Sequence, residues 1–366
     1  MKKLLIGVIV DGKAGGVDKY ILDFYSEVNC RYAEVDFLTS EYSEGLAQTL
    51  RKNGSKLLTA PRANDLLGQY KALKRIVSEN NYDIVYFNYS TAIGWTAVKG
   101  AHDGGAKKII VHSHNNGYCH NNSVKQAVFT FLHYLSRPFI CKYATDLLSC
   151  SDKAANWMFG KKALKNNKIR YIKNEVDDSV YCPSVEKREH FRNMFDLNNS
   201  FVIGHVGSML KAKNQIFLIE LLPKIKKYIP NAKLLLVGDG ENKASLQAYV
   251  NGLKLADDVI FAGYLNSSEG IMNAFDVFCL PSLIEGYPFV AIEAQHYKLP
   301  CIFSDRITRQ IVKTDACSYV SLNEPKEWVN QIVAYKDIDN IQAIKNVCES
   351  EFITCVDFVE EMINSF

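Results

Sequence analysis

The chain has 366 residues, 48% of them hydrophobic and 23% charged, with a formal net charge of +3. That length exceeds one average core and fits two domains. The composition is that of a globular protein, and so small a net charge gives no field for nucleic-acid binding. The ten cysteines (Cys30, Cys119, Cys141, Cys150, Cys182, Cys279, Cys301, Cys317, Cys348, Cys355) make no C-x-x-C pair and no zinc spacing. Such usage fits reduced core thiols and a reducing cytoplasm.

Met1-Lys2-Lys3 and the apolar run 4–10 mimic a secretory leader. Asp11-Gly12-Lys13 stops that run without a small-residue cleavage site, so a first strand is expected there. No stretch approaches the roughly 20 apolar residues of a membrane span. Val17, Ile21, Phe24 and Val28 then recur at helical spacing. Further strands are expected at 35–38, 56–59, 84–88, 109–112, 147–150 and 171–173, with helices at 70–80 and 124–142. The polar, charged stretch 174–195, which contains Pro183, reads as a linker. Alternation then restarts, with strands at 202–206, 234–237, 259–262, 277–280 and 301–304. The runs are nearly continuous, as for parallel strands covered on both faces. Two such series predict an α/β protein of two doubly wound Rossmann-like domains facing a central cleft. The N-terminal domain would span 1–175 and the C-terminal domain 176–351, with a last helix over 352–366 packing back on the first.

The chemistry-bearing motifs fall in the loops after strands. Gly15-Gly16 sits between the first strand and helix, where a backbone approaches a ligand closely or simply turns. It is not G-x-G-x-x-G, which excludes a nicotinamide or flavin fingerprint. His112 and His114 share one side of a strand end; two imidazoles suit a metal only with a third ligand, and none stands near. A hydrogen-bonded structural role and a substrate-directed role both remain open for them. The loop from Gly204 to Asn214 carries Lys211 and Lys213, which can neutralise a diphosphate. Gly238-Asp239-Gly240 and Gly263-Tyr264 end the next two strands, and three glycine loops on one sheet edge suggest a nucleotide site. In Glu285-Gly286-Tyr287-Pro288-Phe289-Val290-Ala291-Ile292-Glu293, one carboxylate follows a strand and the other rides the next helix. Helix-start amides between two carboxylates suit a sugar joined to a phosphate and a ribose. No Asp-x-Asp metal motif ends a strand; Asp177-Asp178 and Asp257-Asp258 are adjacent pairs in loops. The lysines from Lys161 to Lys173 and the aromatic run 124–142 fit a core helix with solvated lysines, or a surface resting on anionic membrane.

Taken in order, these segments resemble the family-4 retaining glycosyltransferases of the GT-B fold, in their bacterial capsule and exopolysaccharide branch. The resemblance rests on Ile110-Val111-His112-Ser113-His114-Asn115, Ser149-Cys150-Ser151-Asp152, Ile172-Lys173-Asn174, Gly204-His205-Val206-Gly207, Lys213-Asn214, Leu236-Val237-Gly238-Asp239-Gly240, Pro281-Ser282-Leu283-Ile284-Glu285-Gly286 and Glu293-Ala294-Gln295. It implies that Glu285 contacts the donor sugar, Glu293 the ribose and Lys213 the diphosphate. The backbone from Tyr287 through Pro288 and Phe289 to Val290 would support phosphate and sugar, with Gly207, Ser208, Gly238, Tyr264 and Gly286 around them. His114, with His112 as the alternative, would sit near the reacting sugar, and Gly16 near phosphate or acceptor. The implied donor is a UDP-sugar and the implied acceptor a lipid-linked oligosaccharide, with no metal or cofactor. The implied place is the cytoplasm, at the inner face of an anionic membrane. Ser208 stands where the family usually has arginine, and Gln310 where it often has an acid. A sugar-nucleotide epimerase of this architecture and a weakly active partner subunit are the rival readings.

Overall fold

The computed structural model describes residues 2–10, 15–28, 33–166, 168–172, 174, 176, 180–265 and 270–336. The helix expected over 352–366 and the pair Asp177-Asp178 lie outside the described residues. The chain divides into two compact units after Asn174. Among the described residues no helix is long and apolar enough to cross a membrane.

In the first unit the strands are β1 (Lys2–Gly7), β2 (Ala33–Thr39), β3 (Leu57–Thr59), β4 (Ile84–Tyr89), β5 (Lys108–Ser113), β6 (Asp146–Ser149) and β7 (Ile169–Tyr171). Its helices are α1 (Gly15–Val28), α2 (Glu44–Lys52), α3 (Leu66–Asn80), α4 (Trp95–Asp103), α5 (Ser123–Tyr143), α6 (Asp152–Met158) and α7 (Gly160–Lys165). All pairings are parallel, in the order β3-β2-β1-β4-β5-β6-β7. Every residue of β4 is buried, which is why its sequence shows no alternation. The order reverses between β1 and β4, and a doubly wound sheet binds ligands at the carboxyl side of such a point. The first strand ends at Gly7, short of residue 10, because the Val10 N–H turns to the carboxylate of Asp18 in α1. Gly15 and Gly16 form the first turn of α1 rather than a loop before it.

The second unit contains α8 (Val185–Met194), β8 (Phe201–Val206), α9 (Gln215–Ile225), β9 (Ala232–Val237), α10 (Lys243–Gly252), β10 (Val259–Gly263), β11 (Val277–Leu280), α11 (Phe289–His296), β12 (Cys301–Ser304), β13 (Cys317–Val320) and α12 (Pro325–Ala334). Its sheet is again parallel, in the order β10-β9-β8-β11-β12-β13. The reversal here lies between β8 and β11. The core is built from Leu234, Leu236, Ile203, Cys279 and Ile302 of the sheet against Leu218, Leu222 and Trp328 of the helices.

The stretch read as a linker is helical over Val185–Met194. Ser184 caps α8 by accepting from the Lys187 N–H. Glu186, Lys187 and Glu189 are exposed, but the two arginines of the helix face inward. Arg188 and Arg192 each reach one oxygen of Asp276, at 2.5 and 2.6 Å, and Asp276 also accepts from the Val202 N–H. Arg192 further donates to the carbonyl of Ala274. Thus α8 is clamped to the residues that open β8 and β11. Asp276→Ala would strand two guanidinium groups, one of them on a side chain only 10% exposed. Breaking a partly buried pair of this kind costs about 3 kcal/mol. Denaturant titration should show a loss of that order, and a change below about 1 kcal/mol would mean that α8 is only loosely held.

Candidate active site

The second unit brings Lys213 and Glu285 together at its switch point. β8 runs out at Val206 and Gly207, and a short helical turn, Lys211–Lys213, follows. Asn214 takes a left-handed conformation with φ of 56°, so α9 begins at Gln215 and Lys213 precedes the helix instead of starting it. The turn is tied to the loop after β11. Leu283 N–H donates to the Ala212 carbonyl at 2.7 Å, and the Asn214 amide donates to the Pro281 carbonyl at 3.1 Å. Across this join the Lys213 ammonium meets Glu285 Oε1 at 2.5 Å. The Ser282 hydroxyl donates to the same oxygen at 2.8 Å, and Ser304 in turn holds the Ser282 carbonyl at 2.6 Å. Ser282 and Ser304 are fully buried and Glu285 nearly so. The carboxylate therefore has a fixed hydroxyl donor besides the lysine.

Gly238 passes directly beneath this loop. Its φ is 131°, and a Cβ there would lie 2.2 Å from the Gly207 carbonyl oxygen, so only glycine lets the strand ends cross. His205, on β8, is fully buried; its Nδ1–H donates to the Cys279 carbonyl at 2.9 Å. Its Nε2 therefore carries a lone pair, with no hydrogen-bond partner among the described residues. Burial pushes the imidazole down to about 4, so it is neutral at neutral pH.

Pro288 precedes α11, and its carbonyl accepts from the Ala291 N–H at 3.1 Å, closing the first turn of the helix. Glu293 stands in the second turn of that helix and is buried. Gln295 anchors α11: its amide donates to the carbonyls of Ala291 and Ile311, and its oxygen accepts from the Lys313 N–H. The Tyr287 hydroxyl donates to the backbone carbonyl of Gln310, a contact indifferent to the side chain at that position. Ser208 is exposed, and its carbonyl accepts from the Gln215 amide at 3.0 Å. Tyr264, 56% exposed, follows the edge strand β10, two strands from β8, and is not brought to the Lys213–Glu285 pair by the sheet order.

In the first unit, His112 lies near the end of β5 and His114 just beyond it, with ring centroids 4.0 Å apart. The two differ in environment. His112 is fully enclosed; its Nδ1 bonds the Tyr86 hydroxyl at 2.8 Å, which bonds the Tyr20 hydroxyl at 2.8 Å. His114 keeps 9% of its surface. Its Nε2 lies 2.8 Å from Asn88 Oδ1, while the Asn88 amide nitrogen donates to the Gly7 carbonyl. That second bond fixes which way the Asn88 amide points, so Nε2 of His114 is the protonated nitrogen and Nδ1 bears the lone pair. Burial pushes His114 down to about 3 and His112 well below its usual range, the latter also repelled by His114. Among the described residues no group of three or more His, Cys, Asp or Glu side chains is placed to hold a metal ion. The sequence attaches no role to Asn88, and His205 and Ser282 enter there only as members of the motifs Gly204-His205-Val206-Gly207 and Pro281-Ser282-Leu283-Ile284-Glu285-Gly286. For Asn88 a signal existed, one amide inside the otherwise apolar run Ile84–Tyr89.

Two family models match the chain. One, described as Glycosyltransferase Family 4, covers residues 14–180, and the other, Glycosyl transferases group 1, covers residues 200–336. The putative glycosyltransferase EpsF of Bacillus subtilis (strain 168) is 26% identical over 342 residues, 90% of this chain and 87% of that protein. The UDP-Gal:alpha-D-GlcNAc-diphosphoundecaprenol alpha-1,3-galactosyltransferase of Escherichia coli is 26% identical over 333 residues, 89% of this chain and 83% of that protein. Among solved structures, Anabaena Alr3699/HepE in complex with UDP and glucose is similar in fold, with a TM-score of 0.74 at 17% identity, covering 100% of this chain and 99% of that one.

Proposed function

Because the chain is a hexosyltransferase of the GT-B type, we propose that it moves a hexose or N-acetylhexosamine from a UDP-sugar to a hydroxyl of a lipid-linked oligosaccharide. Transfer retains the anomeric configuration and serves capsule or exopolysaccharide synthesis. The observation that carries this reading is the cation–carboxylate pair of Lys213 and Glu285 at the switch point of the second sheet. A diphosphate needs the cation, a sugar needs the carboxylate, and a nucleotide sugar presents both groups in succession. The relatives support the substrate classes: the Escherichia coli enzyme is named for a UDP-sugar donor and a diphosphoundecaprenol acceptor. The Anabaena structure holds UDP and glucose.

In this reading the donor diphosphate takes the Lys213 ammonium from Glu285. Ser282 keeps the released carboxylate in place to accept from sugar hydroxyls. The helix start at Phe289 and Val290 turns the positive end of the α11 dipole toward the phosphate or sugar, and Glu293 accepts from the ribose. Ser208 supplies no charge, so the leaving diphosphate depends on Lys213 and backbone dipoles, with no metal required. Unit-one residues His114 and Gly16 serve the reacting sugar and the acceptor.

The direct test is incubation with a labelled UDP-hexose, with and without a polyprenyl-diphosphate oligosaccharide. Label should enter the lipid fraction only with acceptor, and the new linkage should keep the donor's anomeric configuration. A UDP-sugar interconverted without acceptor would favour the epimerase instead. Calorimetry divides the two glutamates. Glu293→Ala should weaken UDP by about 10-fold, the loss of one charge-assisted hydrogen bond. Glu285→Ala should leave UDP affinity unchanged or raise it, since it frees Lys213 from its present partner. Equal losses in both variants would contradict this division.

A further inference from the structure

The least expected surface of the first unit is the outer face of α5, whose polarity is the reverse of a solvated helix. His133 and Ser136 point inward and are buried, while Val124, Val128, Phe131, Leu132, Leu135 and Phe139 are exposed. Phe131 keeps 62% of its surface and Leu135 54%. The orientation is locked by the polar side. His133 accepts from the Ala92 N–H at 3.0 Å, donates to the Trp157 carbonyl at 3.0 Å, and stacks on Trp157 at 3.7 Å. The helix cannot roll to hide its apolar side without losing these contacts. The reading of this segment as a core helix with solvated lysines holds for Ile140, which is fully buried in the core, but not for these six exposed apolar side chains. A contiguous apolar face of this kind marks an interaction surface.

Charge says what covers it. From Ser123 to Tyr143 the helix contains no acidic residue, and exposed Lys125 and Lys142 stand near its two ends. Arg137 donates to the Asn156 carbonyl and the Cys141 thiol lies against the Phe159 carbonyl. The short helix that begins at Gly160 thus leaves from the flank of α5, and it adds the exposed Lys161, Lys162 and Lys165 with no acid among them. An apolar strip about 22 Å long, bordered by the lysines of α5 and of the helix at Gly160, matches the acyl–headgroup boundary of an anionic bilayer.

We propose that α5 is a membrane-docking helix, lying in the plane of an anionic leaflet with Phe131 and Leu135 at the centre of the inserted face and the lysines of α7 on lipid phosphates. The proposal deepens the reading of a lipid-linked acceptor, on which its biological use rests. The docking itself is measured without any substrate.

Co-sedimentation of the full chain with phosphatidylcholine vesicles, and with phosphatidylcholine–phosphatidylglycerol vesicles, tests it. Wild type should bind the anionic vesicles and bind the neutral ones weakly. Phe131→Ser with Leu135→Ser should reduce binding by about 10-fold or more, because both side chains are already exposed and their loss removes only insertion. Lys161→Glu with Lys162→Glu and Lys165→Glu should abolish the preference for anionic lipid. Both variants should keep wild-type thermal stability and wild-type transfer to an acceptor whose lipid is replaced by a short soluble chain. Wild type that ignores anionic vesicles overturns the proposal, and so do variants that bind as wild type does. A wild type that self-associates, with a monomeric Phe131/Leu135 variant and no vesicle binding, assigns the face to a second copy instead. Vesicle binding with no transfer to any acceptor would sink the functional reading and leave the docking surface standing.

Discussion

Replacing Lys213 with alanine is expected to lower kcat/KM by about 100-fold or more, the loss seen when one preorganised charge contact to a leaving or developing anion is removed. Structure complicates the measurement in a useful way. Lys213 is also the partner of Glu285 at 2.5 Å, and Glu285 is only 8% exposed. Lys213→Ala therefore leaves a nearly buried carboxylate with the Ser282 hydroxyl among its remaining donors, and some loss of stability must accompany the loss of rate. The double variant Lys213→Ala with Glu285→Gln separates the two effects. It removes the unpaired charge and should regain most of the lost stability, yet turnover should stay at the level of the single variant or below. UDP affinity should fall in Lys213→Ala and remain low in the double variant. If the double variant recovers turnover along with stability, the lysine is only a counter-ion and the diphosphate assignment fails.

The alternation of apolar runs with amphipathic segments made both parallel sheets legible, because buried parallel strands such as Ile84–Tyr89 and Val277–Leu280 have no polar face to confuse the pattern. Edge elements were harder to read. β13 carries three half-exposed residues out of four, so no apolar run announces it. α8 looked like a linker because its attachment points are charged, two arginines converging on one aspartate far along the chain. The same limit applies at the site. The spacing of Glu285 and Glu293 placed one on a loop after a strand and the other on a helix, as found. It gave no hint that Lys213 and Glu285 neutralise each other, because that contact depends on the Leu283–Ala212 and Asn214–Pro281 hydrogen bonds that join two loops. Nor can a sequence show that His112 is fully enclosed while His114, though buried, keeps 9% of its surface. Two positions alike in strand parity differ because β5 ends at Ser113, leaving His114 at the rim.

That asymmetry leads to an expected division between the two histidines. His114→Ala should leave UDP affinity within about 2-fold and lower transfer by about 100-fold, the scale of one positioned proton-bearing or polar group. His112→Ala should cost mainly stability, about 1–3 kcal/mol, by leaving the Tyr86 hydroxyl without its imidazole partner. An inactive but stable His112→Ala beside an active His114→Ala would reverse the assignment. Protonation gives a second handle. Burial holds His114 at about 3 in the folded chain, against about 6.5 unfolded, so the unfolded chain binds a proton across that window that the folded chain does not. Stability should therefore fall as pH drops from about 6.5 toward 3, and His133 and His205, each held at about 4, act in the same direction. His114→Gln should make this acid loss shallower, since glutamine takes up no proton. Transfer by wild type should show no step at the ordinary histidine pKa, because the neutral imidazole that Asn88 orients is the working form throughout. An activity that rises as pH falls through 6.5 would require an imidazolium at this site, and the hydrogen bonding of His114 to Asn88 would then have to be redrawn.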